Sequence, residues 1–462
     1  MQTRREQVRA YRFVNRRMVS ALLSGDPENQ DLPMRRLGLA IFGSVMVAAI
    51  IFAVVGIYGI YNPGGGKLDD DTLVIEKETG ATFVYRSGIL FPVANFTSGR
   101  LVIGVPDPKK QTVSANTLRG RQRGPMVGIA NAPDTLPPAK AMVDNLWSVC
   151  AAPTINGGVV TQVMVGSTLP GGTRPGDRSL YVRAGSGSYL VAGDHRYRVK
   201  DDQAVRTALQ LNGVTPVPIA DPVLNAIPSG PVLESPTITS KDDAAPSAEG
   251  KALKYGEVVV AGDQFYVVLT DGYAKINLVT KNLLTTKVSN TLTTLSVDTV
   301  SKRPSTQKVE PEGWLPDMPN LVDTAGAKTV LCATYDGRGK TAALTVTYFP
   351  QVPPGMTTTP ASQSVQDNHR LADRMVIEGG RGALVQRLPV LGSSSTGTTI
   401  YLITDGGYKY ALATSGLNAQ SVLGYGDVTP VLVPADLLDL VRDGPVLDAD
   451  AAHTELLRAS AA

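Results

Sequence analysis

The pattern of hydrophobic and polar positions divides the chain into three parts. Leu37 to Tyr61 form an unbroken, uncharged apolar run. At about 1.5 Å per helical residue this run exceeds the roughly 30 Å hydrocarbon core of a membrane. A cleaved secretory signal has a shorter apolar core and a small-residue cleavage site close behind it. The run therefore predicts one retained transmembrane helix, and the turn residues from Asn62 to Gly66 are expected to end it.

The segment before the span has helical periodicity. Thr3 and Glu6 have the spacing of a capping box, and apolar side chains then recur at helical intervals, at Val8, Tyr11, Met18 and Leu22. The other face is basic and carries Arg4, Arg5, Arg9, Arg12, Arg16 and Arg17. Two interpretations remain open: a basic amphipathic helix that lies on anionic membrane lipid, or a helix that docks a cytoplasmic partner protein.

Beyond the span, short apolar runs and alternating segments predict a strand-rich body. In one of them, Leu344, Val346 and Tyr348 alternate with Thr345 and Thr347, as in a half-buried strand. The sequence contains 46 Gly and 32 Pro, which is typical of turn-rich structure. The expected fold class is α+β and strand-rich, with more than one core because the body is too long for a single one.

Internal repetition organises this body. Two motifs recur at one shared offset: Val214 to Val217 as Val428 to Val431, and Gly230 to Glu234 as Gly444 to Asp448. The strand at Tyr189 matches the strand at Tyr401 after a two-residue gap, and weaker copies begin at Thr82 and Phe265. The pattern predicts four repeats, each a hairpin followed by short helices.

The chain has two cysteines, Cys150 and Cys332, and each lies between two repeats and is followed by a second strand. The order of repeat, cysteine hairpin and repeat occurs twice, which predicts a duplicated body with an approximate two-fold. In an oxidising envelope compartment an isolated cysteine pair favours a disulfide over a metal or catalytic site, with two buried free thiols as the alternative.

These patterns give a division of the whole chain into segments. It runs as follows: 1–36 cytoplasmic basic amphipathic helix, 37–61 transmembrane helix, 67–135 repeat 1, 140–180 cysteine hairpin of the first half, 181–234 repeat 2, 235–254 linker, 255–300 repeat 3, 301–350 cysteine hairpin of the second half, 351–397 connecting segment, 398–448 repeat 4 and 449–462 flexible tail.

The charge distribution gives an orientation. Eight arginines and four acidic residues precede the span, and the positive-inside rule places this segment in the cytoplasm. The whole chain carries +3, so the body is close to neutral and is expected outside the cytoplasm. A near-neutral body argues against nucleic acid as a partner.

Motifs that could carry chemistry are incomplete. Gly337 to Thr341 resembles part of a P-loop, but Thr334 stands where the first glycine is needed, so a hairpin turn is the simpler interpretation. Ser305 to Lys308 has the S-x-x-K spacing, and no K-T-G accompanies it. The histidines His195, His369 and His453 lack metal-ligand spacing. We expect no catalytic, cofactor-binding or metal-binding residues.

Several longer segments resemble one known family. They are Thr3-Arg4 with Gln7-Val8 and Tyr11 to Arg17, the post-membrane Asn62 to Gly65, the block Pro92 to Gly104, Gly124 to Ile129, and Trp147 with Cys150. Together they resemble EccB, the single-pass membrane core component of actinobacterial type VII (ESX) secretion systems. The resemblance covers nearly the whole chain, and the block Pro92 to Gly104 is its most specific element.

The resemblance implies four repeats around a disulfide-linked β core, in an extracytoplasmic domain that mediates multimerisation. It also implies assembly with an EccC-like ATPase and with EccD-like and EccE-like membrane subunits, in an inner-membrane complex that exports WXG100-class proteins. The N-terminal arginines become docking residues for cytoplasmic partners. An ATPase activity has been attributed to the family, and the sequence supplies no complete site for it. The expected function is a non-catalytic scaffold; a membrane-anchored envelope enzyme, a hydrolase or an ATPase, is the alternative.

Overall fold

The structure is a computed structural model that describes residues 4–24, 33–61, 67–143, 146–286, 292–324, 328–336, 343–361, 365–366, 369–388 and 399–456. It divides into two compact units, and each is described by itself. One unit comprises residues 1–91 and 109–124, and the other comprises residues 92–108 and 125–462.

Two long helices come first, as the hydrophobic pattern predicts. They are α1 (Arg4–Ser24) and α2 (Pro33–Tyr61). Within α2, Leu37–Gly59 has a mean hydropathy of 2.7, and in the part of the chain that the structure describes it is the one helix long and apolar enough to cross a membrane. The expected helix cap at Thr3 and the expected stop at 62–66 lie outside the described residues.

The first unit also contains a four-stranded sheet, which we call the first sheet. The chain forms β1 (Thr72–Glu76), β2 (Thr82–Arg86) and β3 (Ile89–Pro92), then α3 (Phe96–Ile103), which belongs to the second unit, and returns as β4 (Lys110–Val113) and α4 (Ala115–Leu118). The strand order is β3-β2-β1-β4, with β1 antiparallel to β2 and parallel to β4. Val74, Phe83, Leu90 and Leu118 are buried in its core.

The second unit continues with a hairpin, a second sheet, a small hairpin and a third sheet. After a 3-10 turn at Ala139–Ala141 the elements are β5 (Leu146–Pro153), β6 (Val159–Val165), β7 (Ser179–Ala184), β8 (Gly187–Ala192), β9 (His195–Val199), α5 (Gln203–Ala208), β10 (Val217–Pro218), α6 (Asp221–Asn225), β11 (Ala244–Ala248), β12 (Lys251–Lys254), β13 (Val258–Ala261), β14 (Gln264–Val268), β15 (Tyr273–Ile276), α7 (Leu278–Thr285), β16 (Thr293–Thr294) and α8 (Val297–Ser301).

The rest of the second unit adds another hairpin and a fourth sheet. Its elements are β17 (Val330–Asp336), β18 (Ala343–Phe349), β19 (Val365–Gln366), β20 (His369–Arg370), β21 (Arg374–Val376), β22 (Gly382–Leu388), β23 (Ile400–Thr404), β24 (Tyr408–Leu412), α9 (Ala419–Val422), β25 (Val431–Pro434), α10 (Ala435–Leu438), β26 (Arg442–Asp443) and α11 (Ala449–Ala452).

Four of the sheets have the same plan. Three consecutive strands pair in sequence order, and a later strand returns to pair in parallel with the first of them. The orders are β3-β2-β1-β4, β10-β7-β8-β9, β15-β14-β13-β16 and β25-β22-β23-β24-β26. A parallel return needs a crossover connection, and each crossover here contains a helix, namely α3, α5, α7 or α9.

A fifth sheet, the central sheet, has the order β18-β17-β5-β6-β21. Strands β5 and β17 are antiparallel neighbours at its middle, and Cys150 lies directly opposite Cys332. On one face Trp147, Val149, Leu331 and Tyr335 are buried together with residues of the second and fourth sheets. Strands with both faces covered are expected to be apolar along their whole length, and β5 has six buried residues in succession.

Three features differ from the sequence-based division. Strand β22 lies inside 351–397, the stretch expected to be connecting segment, and β11 and β12 form a hairpin inside the expected linker 235–254. The expected flexible tail, 449–462, contains α11 and a bridge from Glu455 to Val127. The Asp448 side chain caps α11, and Ala449 and Ala452 are small enough to bury against α3, so packing orders a stretch whose composition alone suggested disorder.

Candidate functional site

The disulfide lies at the middle of the central sheet. Cys150 and Cys332 are bonded, are 0% and 2% exposed, and are separated by 182 residues in sequence. Met164, Val330, Phe349 and Met356 bury the surrounding face. This confirms the expected disulfide and removes the alternative of two free thiols. A bond between directly opposed residues of β5 and β17 ties the first cysteine hairpin to the second.

Main-chain hydrogen bonds also join the two halves, and each half contributes a segment that pairs with a strand of the other. Thr173, from the first half, exchanges two hydrogen bonds of 2.9 Å with Tyr348 in β18. In return β21, from the second half, pairs in parallel with β6. Val143 donates to the carbonyl of Gly382 at 2.7 Å, and Val322 donates to that of Ser179 at 2.9 Å. The disulfide is therefore one of several connections between the halves.

The basic helix α1 presents its predicted docking residues to solvent. Arg4, Arg5, Arg9, Arg12, Arg16 and Arg17 are all exposed. Four of them, Arg5, Arg9, Arg12 and Arg16, are spaced by three or four residues, so they share one face of the helix. We call these four the arginine stripe. Arg17 lies outside it, with its guanidinium 5.8 Å from the centre of the Phe13 ring.

An exposed apolar row lies beside the arginine stripe. Tyr11 is 70% exposed and Leu22 is 85% exposed, with Val8 and Met18 between and before them at helical spacing. Single exposed apolar residues are ordinary, but a contiguous row next to a basic stripe marks a surface that binds lipid or protein. The α1 surface therefore combines exposed apolar and basic side chains that could bind lipid or protein.

The residues of the S-x-x-K pattern serve a turn. The Ser305 hydroxyl donates to the Asp271 carboxylate at 2.7 Å, and the Thr306 amide donates to the same carboxylate at 3.0 Å. These bonds stabilise the charged carboxylate and lower the pKa of Asp271 to about 2, chiefly through Ser305. Ser305 is therefore a turn-capping residue in this arrangement. The glycine-rich stretch from Gly337 to Thr341 lies outside the described residues.

The two histidine side chains that the structure describes do not lie together. His195 is exposed at the start of β9, and the His453 ring lies 2.8 Å from the carbonyl of Ala449, within its own segment. The side chain of His369 lies outside the described residues. Within the described ranges, no group of three His, Cys, Asp or Glu side chains could hold a metal ion.

The block Pro92 to Gly104 forms a buried helix and its cap. The Asn95 side chain accepts from the Ser98 amide at 2.8 Å and donates to the Ile129 carbonyl at 2.8 Å. Thr97, Ser98 and Gly99 are buried. A side-chain cap satisfies a helix amide that otherwise has no partner. The most specific element of the sequence thus has a packing role.

Arg100 extends from this helix towards the fourth sheet. Its guanidinium donates to the carbonyls of Pro106 and Val422. Burial lowers the pKa of Arg100 and raises the pKa of nearby Tyr425, whose hydroxyl donates to the Pro137 carbonyl at 2.8 Å. Sequence patterns missed this cluster because its members lie far apart in the chain and share no motif spacing.

Taken together, the fold is that of a strand-rich body carried by a chain with a candidate membrane span near its N-terminus. Residues 1–457 match the family model described as "Type VII secretion system ESX-1, transport TM domain B". The chain therefore belongs to this family, EccB, as the resemblance in the sequence indicated.

Two curated relatives illustrate the similarity. EccB3 of Mycolicibacterium smegmatis, named an ESX-3 secretion system ATPase, is 29% identical over 97% of this chain and 90% of its own length. EccB1 of the same species, named an ESX-1 secretion system ATPase, is 27% identical over 98% of this chain and 95% of its own length.

Solved structures have the same fold. A chain of an intact ESX-5 inner membrane complex has a TM-score of 0.69 at 24% identity, covering 98% of this chain and 95% of that chain. The EccB3 dimer from the ESX-3 core complex has a TM-score of 0.66 at 25% identity, covering 83% of this chain and all of that chain.

Proposed function

We propose that this protein is a structural, non-catalytic subunit of a type VII secretion membrane complex, which scaffolds assembly for the export of WXG100-class proteins. The observation that carries the proposal is the family match over residues 1–457, which includes the candidate span and the body. A chain of similar fold comes from an intact ESX-5 inner membrane complex. The proposed partners are an EccC-like ATPase and EccD-like and EccE-like membrane subunits.

The proposed orientation follows from charge. The arginines before the span place α1 in the cytoplasm, and the body then lies outside the inner membrane as a single-pass protein. An oxidising exterior is where disulfides persist, and the bonded cysteines in the body support that placement. A solved structure of similar fold, 23% identical to this chain, belongs to the periplasmic assembly of the ESX-5 inner membrane complex.

The body is proposed to be a duplicated array of four repeats around the disulfide-linked central sheet. The shared plan of the four sheets supports four copies. Strands β2 and β14 begin at Thr82 and Gln264, the caps of α3 and α7 are Asn95 and Asn277, and the cysteines are 150 and 332. Each pair is separated by the same number of residues, as a duplication requires.

The extracytoplasmic body is also proposed to mediate multimerisation, because stacked repeats offer broad faces for neighbouring subunits. Self-association is described for a relative, the EccB3 dimer of the ESX-3 core complex. For the segment boundaries we keep the division given by the sequence, with β22 assigned to repeat 4 because it supplies the first strand of the fourth sheet.

Of the six arginines expected from the sequence to dock cytoplasmic partners, the four of the arginine stripe are proposed to bind partner protein in preference to lipid, because they share one exposed face of α1, which Arg17 does not. The test reverses two arginines on the stripe, Arg12→Glu with Arg16→Glu, and compares them with two off the stripe, Arg4→Glu with Arg17→Glu. Both pairs change the charge equally, so adsorption to anionic lipid should weaken equally in both.

Co-purification from detergent extracts measures the outcome. We expect the stripe variant to recover about tenfold less of the EccC-like ATPase, while the off-stripe variant recovers the wild-type amount and both insert into the membrane. Equal losses in the two variants would favour the lipid surface. Wild-type protein that isolates without any other secretion subunit would overturn the scaffold function itself.

An ATPase is the second candidate, because the relatives' names include that activity. Against it, the S-x-x-K hydroxyl is engaged by Asp271 and the glycine-rich stretch is an incomplete P-loop. ATP hydrolysis by purified full-length protein is the measurement, with Lys340→Ala as the matched control. Hydrolysis that the control removes would establish the enzyme and exclude a purely structural role.

A further inference from the structure

The four sheets that share a plan also have an equivalent edge. In each sheet, the segment that follows the returning strand runs beside the third strand, and one of its residues pairs with that strand in parallel. The pairs are Leu90 with Arg123, Arg196 with Ser229, Tyr273 with Pro304, and Lys409 with Asp443. The second member of each pair is therefore an equivalent position. Two residues earlier on this edge, the equivalent residues are Arg121, Ile227, Lys302 and Val441.

Among these sheets, the first alone has arginine at both positions. In the second and fourth sheets Ile227 and Val441 are buried in the core, at 0% and 1% exposure. In the third sheet Lys302 forms an ion pair with Asp298. The shared fold therefore does not require arginine at this edge, and the arginines of the first sheet need another explanation.

Two aromatic rings hold these arginines. The Arg121 guanidinium lies 5.7 Å from the centre of the Tyr85 ring and donates to the Tyr85 hydroxyl at 3.3 Å. The Arg123 guanidinium lies 5.3 Å from the centre of the Phe83 ring. A guanidinium that stacks on a ring keeps N–H groups at its edge for a further partner. Arg119 is exposed just before them, and we call the three residues the sheet-edge arginines.

The charge around the sheet-edge arginines is positive. Residues 109–124 contain five Lys or Arg and no Asp or Glu. Among the described residues, no carboxylate forms an ion pair with any of the three arginines. An acidic stretch lies just before β1, but Asp69 is paired with Lys109 at 3.2 Å and Asp71 with Arg86 at 2.5 Å. The sheet-edge arginines are therefore available to an anion from outside the chain.

A short connection ties this sheet to the candidate membrane span. Helix α2 ends at Tyr61, and Leu68 is already buried in the core that contains Phe83 and Tyr85. Seven extended residues reach at most about 25 Å. The chain enters β1 at Thr72, which pairs with Tyr85, so the rings under the sheet-edge arginines lie at the end of the sheet where the chain arrives from the span. The first sheet cannot move far from the lipid headgroups.

We propose that the sheet-edge arginines bind the phosphate groups of anionic lipids, in the membrane leaflet on the side of the body. Guanidinium groups bind phosphate oxygens through two parallel N–H donors, and basic side chains near a membrane surface are attracted to anionic lipid. Lipid is the occupant that the structure favours, because the short connection keeps these arginines close to the membrane. The inference rests on α2 as the membrane span and not on the scaffold function.

The experiment uses full-length protein in nanodiscs of phosphatidylcholine and phosphatidylglycerol. Two probes are compared, an anionic phospholipid and a phosphatidylcholine, each with the same photoreactive group near its phosphate. Peptide mass spectrometry measures adducts on residues 67–124, and adducts on α2, which crosses the lipid in every variant, provide the internal reference. We expect about fivefold more first-sheet adduct, or greater, from the anionic probe.

Three paired variants test the residues. Arg121→Gln with Arg123→Gln should lower the first-sheet adducts of the anionic probe more than about tenfold, since each basic side chain near a membrane contributes about fivefold. Arg183→Gln with Arg198→Gln, at exposed arginines of the second sheet, removes the same charge and should leave these adducts unchanged. Arg121→Lys with Arg123→Lys keeps the charge and should keep most of the adduct. Urea unfolding checks that each variant is folded.

First-sheet adducts that are absent, or that are equal for the two probes, would overturn the proposal. Equal losses in the glutamine variant and in the second-sheet control would also overturn it. A lysine variant that loses as much adduct as the glutamine variant would show that the arginines only cover the rings, and would exclude a site based on charge. The protein is isolated throughout, so none of these outcomes alters the co-purification test, and this inference and the scaffold function fail separately.

Discussion

Helices α3 and α7 each lie in the crossover of a sheet with the same strand plan, and both begin at an asparagine cap. Around Asn95 the Ser98 hydroxyl donates to the Asn95 side chain at 2.7 Å and accepts from the Ile129 amide at 2.9 Å. Around Asn277 the hydroxyl three residues after the cap is that of Thr280, and it donates to Glu310, which also accepts from the Asn277 amide, each at 2.7 Å. This hydroxyl therefore has an acceptor beside both helices, the capping asparagine in one case and a carboxylate in the other.

Other pairs of positions carry the same residue in both halves, and the clearest pair is a glycine that lies against a tyrosine ring. Gly230 lies against the Tyr197 ring and Gly444 against the Tyr410 ring, where an added Cβ would lie 2.4 Å and 2.3 Å from the nearest ring atom. No side chain fits at such a distance. Glycine is therefore required in both halves where the backbone lies against a tyrosine ring. The groups that form hydrogen bonds can differ between the halves as long as each donor keeps a partner.

The largest expected effect comes from the bond between the halves. Replacing both cysteines, Cys150→Ala with Cys332→Ala, should lower the free energy of unfolding by up to about 5 kcal/mol, because the bond closes a long loop in the unfolded chain. The main-chain pairing of Thr173 and of β21 should keep the halves together. Urea unfolding of the full-length protein measures this, and separate transitions for the halves would contradict it.

Two glycines, each just before the third strand of a sheet, should differ most in the stability that an alanine substitution costs. Gly272 has a φ of +156°, and a Cβ there would lie 2.2 Å from the carbonyl oxygen of Arg303, whereas at Gly88, with a φ of +82°, it would meet no atom of the described residues within 4 Å. We expect Gly272→Ala to cost about 3 kcal/mol or more, and Gly88→Ala about 1 kcal/mol from the left-handed backbone alone. Equal shifts in urea unfolding would remove this difference between the halves.

The glycines on tyrosine rings should instead behave alike. Gly230→Ala and Gly444→Ala are each expected to cost about 2 kcal/mol through overpacking. Adding Tyr197→Leu to the first and Tyr410→Leu to the second makes room, so each double variant should lose less stability than the sum of its single changes. A rescue in only one half would break the equivalence of the two sheets.

The smallest effect is a pH dependence in the second half. The folded-state pKa of Asp271 is about 2, below its ordinary 3.8, so its hydrogen bonds stabilise the fold above about pH 4 and are lost as the pH falls towards 2. At the matching place before Gly88 the residue is Ser87, which does not titrate there. Thermal unfolding at pH 5 should favour wild type over Asp271→Asn, and the difference should shrink by pH 3. A constant difference would assign the effect to packing.

Local patterns in the sequence predicted the parts of the fold that are themselves local. The apolar run gave the bounds of the candidate span, and helical spacing gave α1. The recurrence of Gly230 to Glu234 as Gly444 to Asp448 follows two sheets, the second and the fourth, that have the same strand plan. Each of these signals lies within a few turns of one element, where side-chain periodicity and secondary structure are directly connected.

The remainder depends on contacts between distant residues. Strand β22 was missed because it runs beside β25, which comes about 45 residues later, and gains its burial from that pairing. Helix α11 was missed because its alanines suggest order only when α3 is present to pack against.

Because each half supplies a segment that pairs with the other half, the central sheet can be completed only after the second half has been synthesised. In the orientation proposed above, strand β6 cannot gain its outer neighbour until Arg374–Val376 has been made and exported, and β18 must find Thr173, which was exported earlier. Pairings between segments so far apart form slowly. The first half must therefore wait with an unpaired strand edge, a state prone to aggregation. We therefore expect this protein to depend on chaperones, which would shield the unpaired strand edge from aggregation during that interval.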